Sequence, residues 1–127
     1  MALVLDSGAI SFLIQSTPRA AALLRRLRRE ALWPPLVPTA VLVECLTGTP
    51  GTDAPVNRLV KTCVVGEELP LLLARRAGQL RTLARRGSAV DALVVASAEP
   101  GGAVLTSHGK DIGALGHHAA RVTVETV

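Results

Sequence analysis

Apolar residues in this chain come in short bursts divided by polar breaks, and the spacing within each burst separates strands from helices. Residues 2–5, Ala-Leu-Val-Leu, form a continuous aliphatic run closed by Asp6-Ser7-Gly8. With its closing Asp6 the stretch 2–6 is too short for a helix and looks like a short buried strand. Ser7 is placed to cap a short helix to about residue 15, and Pro18 suits the first turn of a second helix to about 32. In that second helix Ala20, Leu23, Leu24 and Leu27 share a face, Arg25, Arg26, Arg28 and Arg29 lie off it, and Pro34-Pro35 ends it. A strand at 36–38 follows, and Thr39 is the expected N-cap of a helix that carries Glu44 and stops at Gly48. Residues 49–55, rich in Gly, Pro and Thr, read as a loop, followed by a short helix near 55–61 and a strand near 62–66. Leu69 to Arg86 is the longest predicted helix, with Leu69, Leu72, Leu73, Ala77, Leu80, Leu83 and Ala84 on one side and Gly87 as its stop. Asp91 opens a further helix to about 98, and a strand at 103–106, a helical turn at 110–116 and a strand at 121–125 complete the chain.

Strands separated by helices predict an α/β layer fold with a mostly parallel sheet, whose ligands collect at the carboxyl ends of strands. The 127 residues suit one domain with a real core. No apolar run approaches the roughly 18 residues of a membrane span. Asp6 interrupts the first apolar stretch too early for a signal peptide, so a cytoplasmic protein is expected. Cys45 and Cys63 have no metal-site spacing and read as small core residues.

Charge adds a modest signal. The net charge is +4, and twelve of the fourteen basic residues are arginine, whose fork matches phosphate. Arg75, Arg76, Arg81, Arg85 and Arg86 fall on the polar side of the long helix, and Arg19 to Arg29 do the same on the second. Phe12 and Trp33 are the only aromatics besides histidine, which argues against a surface built on base stacking.

Four acids add a stronger signal. Asp6, Glu44, Asp91 and Asp111 lie in or beside apolar runs, where an unpartnered carboxylate costs several kcal/mol or takes up a proton. A divalent cation is the partner that best relieves such a set, and hard oxygen donors suit Mg²⁺ or Mn²⁺. Three of the four also have a local explanation: a strand-end turn for Asp6, a helix-start acid for Asp91, a solvated helix position for Glu44.

The series Leu5-Asp6-Ser7-Gly8, Val43-Glu44, Val90-Asp91-Ala-Leu-Val-Val-Ala-Ser-Ala and Val104-Leu105-Thr106-Ser107-x-x-x-Asp111 resembles the motifs of PIN-domain nucleases, in order and over essentially the whole chain. Length and the early first motif are most similar to VapC-type toxins of bacterial toxin–antitoxin pairs. The resemblance implies a PIN-like three-layer fold, with about five parallel strands between helices, spanning 1–127. It implies Mg²⁺- or Mn²⁺-dependent cleavage of RNA, a VapB-like antitoxin and a homodimer. Asp6, Glu44 and Asp91 become the metal-binding core, Asp111 a fourth catalytic acid, and Thr106 and Ser107 hydroxyls that orient a phosphate or a water. One position departs from the family: His108 stands where members carry an acid directly after the Thr-Ser pair, and imidazole is a poor Mg²⁺ ligand. That departure also admits a second reading, a non-catalytic PIN-like protein that binds RNA or a partner without cutting. His117 and His118 read as surface residues.

Overall fold

The structure, a computed structural model, describes residues 2–127. Five short strands, β1 (Leu3–Leu5), β2 (Leu36–Pro38), β3 (Val64–Gly66), β4 (Ala103–Thr106) and β5 (Thr123–Thr126), form one sheet in the order β3-β2-β1-β4-β5. Every pairing is parallel, with Val4 opposite Leu36 on one side and Val104 on the other. Parallel neighbours need long crossovers, and helices supply them on both faces. These helices are α1 (Ser7–Leu13), α2 (Pro18–Arg29), α3 (Thr39–Cys45), α4 (Pro50–Val60), α5 (Leu71–Ala84), α6 (Ala89–Ala98) and α7 (Gly109–His117). This is the PIN-like three-layer α/β fold expected from the sequence.

The core centres on β1 and β4. Leu3, Val4, Leu5, Val104 and Leu105 are all buried, because a central parallel strand has no solvent face. Each such side chain contributes about 2 kcal/mol by leaving water, which offsets the cost of a carboxylate at the strand's end. α2 buries Ala20 and Leu27 as its periodicity predicts, with Leu23 and Leu24 half-buried. α5 departs from expectation. Ala77 and Leu80 are buried, but Leu69, Leu72 and Leu83 are exposed by 56%, 81% and 48%.

Several boundaries differ from the sequence reading. The stretch 49–55 is mostly helix, not loop: Pro50 takes the first helical position, where its missing N–H costs nothing, and Pro55 lies within the helix. Asp53 holds the preceding turn, accepting from the Thr47 and Gly48 amides at 2.9 Å each. α2 ends at Arg29 rather than near 32, and α1 at Leu13 rather than 15. α5 starts at Leu71 because Pro70 keeps the residue before it out of helical geometry, and Arg85, not Gly87, takes the left-handed capping conformation (φ 57°). Pro38, not Thr39, is the N-cap of α3, and the Thr39 hydroxyl instead donates to the Gly66 carbonyl at 3.3 Å.

Candidate functional site

The chain runs outward from β1 to β2 and β3, then returns to the other side of β1 for β4 and β5. That reversal sets the carboxyl ends of β1 and β4 side by side at the switch point of the sheet, the place where open α/β sheets hold their ligands. Asp6, the residue after β1, and Thr106, the last of β4, both sit there. Asp6 is only 5% exposed and Thr106 is fully buried.

Local chemistry explains how a carboxylate is tolerated at Asp6. Its side chain accepts from the Ala9 amide at 2.8 Å and so serves as the N-cap of α1, a role the sequence suggested for Ser7. Burial nevertheless pushes the Asp6 carboxyl above its ordinary pKa. Hydrogen bonds from the Thr106 hydroxyl and the Ala9 amide oppose that rise, the negative charge of Asp91 adds to it, and His108 opposes it weakly. Asp6 and Asp91 therefore feel one another's charge.

Asp91 arrives from α6 through a capping box. The Asp91 amide donates to Ser88 Oγ at 3.0 Å, and the Ser88 amide donates to Asp91 Oδ2 at 3.1 Å. The Ser-x-x-Asp spacing at 88–91 was readable as a helix start, and it places the helix two residues earlier than Asp91 itself. The carboxylate thus has a structural task, yet stays half-buried with one oxygen, Oδ1, outside the box.

The hydroxyl segment after β4 is packed tightly against α1. Thr106 Oγ1 accepts from the His108 amide at 2.9 Å, and Ser107 Oγ lies 3.0 Å from His108 Nδ1. Gly8 makes this possible: a Cβ there would come within 2.0 Å of Ser107 Oγ and 2.9 Å of His108 Nδ1. Sequence reasoning did not single out Gly8 as a site residue; its signal was a glycine just after the strand-end acid, in Asp6-Ser7-Gly8.

The remaining acids stand further out. Glu44 is exposed on α3, but both Glu44 and Asp6 act on the Cys45 thiol between them, which burial first and these charges next push up to about 11. Cys45 is therefore a protonated thiol at neutral pH, not a thiolate ligand or nucleophile. Asp111, in the first turn of α7, is engaged elsewhere: its Oδ1 accepts from Arg86 Nε at 2.7 Å. His117 and His118 are exposed and stack edge-on at 5.2 Å, as surface residues.

Among the described residues, no group of three or more His, Cys, Asp or Glu side chains converges closely enough to hold a metal ion. What converges is a pair, Asp6 and Asp91, with the Thr106 hydroxyl beside it. The donor chemistry fits a hard cation: two carboxylates that repel, a hydroxyl, and no thiolate. Glu44, the third ligand expected from the sequence, is exposed on α3 and does not join this pair.

No family model matches the chain, and no curated protein matches it. No helix among the described residues is long and apolar enough to cross a membrane. Several solved structures share the architecture, three of them as follows. The structure of VapBC2 from Rickettsia felis bound to a DNA fragment from their promoter matches with a TM-score of 0.73 at 12% identity, over 100% of this chain and 99% of that one. FitAcB from Neisseria gonorrhoeae matches at 0.64 and 18%, over 96% and 95%. FitAB bound to an IR36 DNA fragment matches at 0.66 and 19%, over 98% and 94%. At these identities the likeness establishes the fold, and this chain is similar to all three from end to end.

Proposed function

We propose that the protein is a metal-dependent endoribonuclease toxin that hydrolyses phosphodiester bonds in RNA and is inhibited by a cognate VapB-like antitoxin. The observation that carries this reading is the buried, charge-repelled Asp6 at the switch point of the sheet, with Asp91 and Thr106 beside it. The whole-chain likeness to VapBC and FitAB structures supports the toxin assignment.

Asp6, Glu44 and Asp91 would hold Mg²⁺ or Mn²⁺. When bound, the cation would supply Lewis acidity toward a phosphodiester and the water that attacks it. Thr106 fixes Asp6 through its hydroxyl, and Ser107 is exposed next to it to orient a phosphate or a water. Asp111 is the fourth acid of this reading; Arg86 engages its Oδ1 and leaves Oδ2 without a protein partner among the described residues. The decisive experiment is RNA cleavage with Mg²⁺ or Mn²⁺ by wild type and Asp6→Asn. Activity that Asp6→Asn leaves intact would remove the reading.

The partners follow from the surface. Leu69, Leu71 and Leu72 are exposed on and before α5, beside a groove of about 550 Å³ also walled by Leu73, Leu93 and Ala96. An apolar surface of this kind suits a homodimer contact. Leu72→Glu should then leave a monomer in light scattering. The natural place of an RNA-cleaving toxin is the cytoplasm.

A second reading has its own observation. His108 stands beside the pocket instead of an acid, and the acids present do not close around one point. A non-catalytic RNA- or partner-binding protein with this fold would cleave nothing with either metal, while Asp6→Asn would bind RNA as well as wild type.

A further inference from the structure

The C-terminal end of α5 carries a feature that the acidic pocket does not use. Arg81, Arg85 and Arg86 surround an open cleft of about 370 Å³, and its remaining walls are Gly78, Thr82 and Gly87. Three guanidinium groups, one hydroxyl and two glycines leave nothing apolar for a greasy side chain to meet. No carboxylate lines the cleft. Among the described residues neither Arg81 nor Arg85 takes part in an ion pair, and Arg81 Nε reaches only the Gly87 carbonyl, at 3.4 Å. A helix C-terminus favours one or two cations in its last turn, by about 0.3–1 kcal/mol each. Asp111 offsets the third, Arg86, and leaves the Arg81 and Arg85 charges for an anion to meet.

Arg86 is the best prepared of the three. Asp111 holds its Nε at 2.7 Å, so the fork is fixed, while among the described residues its two terminal nitrogens have no partner. A planar guanidinium anchored at one edge presents the other two donors in the geometry that phosphate oxygens accept in pairs. The cleft also adjoins, along the chain, the residues that carry Asp91 and Asp111. Gly87 leads directly into Ser88 and the capping box of Asp91, and Asp111 follows the Thr106–His108 segment at the end of β4.

We propose that the cleft formed by Arg81, Arg85 and Arg86 grips a backbone phosphate of the RNA strand and leads that strand toward Asp91 and Asp6. In this arrangement Asp111 is also a positioning residue, because it sets the Arg86 fork. The inference rests on RNA being the substrate, but it concerns binding and is measured apart from cleavage.

The test is fluorescence anisotropy of a labelled single-stranded RNA oligonucleotide, in EDTA, across a range of KCl concentrations. Taking away one arginine–phosphate interaction should flatten the slope of log affinity against log salt by about 0.7, which is about fourfold in affinity near 0.15 M salt. Arg81→Gln and Arg85→Gln should each show this effect to a similar degree on unrelated RNA sequences, with unchanged melting temperatures. Arg29→Gln, at an exposed position on α2, should change neither slope nor affinity. Equal slopes for wild type and both cleft variants would overturn the proposal, as would wild type that binds no RNA in EDTA. Loss of binding to a poly-glutamate peptide but not to RNA would overturn it in favour of a protein contact. Wild type that binds RNA with this salt signature but cleaves nothing with Mn²⁺ supports the cleft and refutes the nuclease reading.

Discussion

Asp6 both caps a helix and carries a buried charge, and two substitutions separate the tasks. Asparagine caps as well as aspartate, so Asp6→Asn keeps the bond to the Ala9 amide and removes only the charge. Alanine removes both and should cost about 1 kcal/mol from the missing cap, which for a domain of this size is about 4 °C in melting temperature. In EDTA, then, Asp6→Asn should melt at or above wild type and Asp6→Ala about 4 °C below Asp6→Asn. The metal response follows from linkage: at a hundredfold excess over its dissociation constant, Mn²⁺ bound only to the folded state adds about 2.7 kcal/mol, or about 10 °C. Neither variant should show that rise. The pH dependence has a definite sign. Because burial raises the folded-state pKa of Asp6 above its ordinary value of 3.8, the folded state holds its proton more tightly, and Asp6 costs stability as pH climbs from that value through the folded pKa. The difference in melting temperature between Asp6→Asn and wild type should therefore widen over that window in EDTA and shrink when Mn²⁺ is added. Differential scanning fluorimetry across pH, with and without Mn²⁺, reads all of this. An Asp6→Asn protein that keeps the full Mn²⁺ shift, or melts as low in EDTA as Asp6→Ala, would show that the Asp6 charge does not play this part.

Other outcomes follow from neighbouring contacts. Glu99 accepts from Arg76 at 2.8 Å through both oxygens and from the Ala120 amide at 2.7 Å, so Glu99→Gln should lose about 2 kcal/mol in urea denaturation. The same pairing with Arg76 lowers the Glu99 pKa, so its contribution is present above the unfolded value of 4.5 and fades as pH falls through the folded one. Gly8→Ala should cost about 1–3 kcal/mol by overpacking against Ser107, and adding Ser107→Ala should recover part of that loss, a non-additivity that a double-mutant cycle measures. His108→Asp should increase Mg²⁺-supported RNA cleavage, because carboxylate oxygen suits Mg²⁺ better than imidazole; equal activity in both proteins would place His108 outside the reaction.

The strands were legible because a central parallel strand must be apolar throughout: 36–38 and 103–106 appear where the pattern put them. Helix ends were less so, since they turn on single contacts that no periodicity records. The Asp53 carboxylate, turned onto the Thr47 and Gly48 amides, converts a Gly/Pro/Thr loop signature into the start of α4. The apolar side of α5 was visible as a pattern but not as a destination, because periodicity shows which residues share a face and not what covers that face. At the site, the sequence pointed to acids out of place and to where a parallel sheet would collect them. It could not show that Asp6 would be its own helix cap, that Asp91 would be tied into a capping box, or that Arg86 would hold Asp111. Those are partnerships of geometry, and in each the local explanation and the functional one share a residue.

The sheet order carries a consequence for the birth of the molecule. Of the five strands β1 is made first but lies at the centre, and one of its two neighbours, β4, is made only after residue 102. The site around Asp6 cannot exist on a nascent chain until α6 with Asp91 and β4 with Thr106 have left the ribosome, when long loops must close before the contacts that reward them form. Any activity housed there is withheld while the earlier strands emerge and arrives all at once, when β4 takes its place beside β1. Charge repulsion between Asp6 and Asp91 acts in the same direction, since it too is met only in the finished fold.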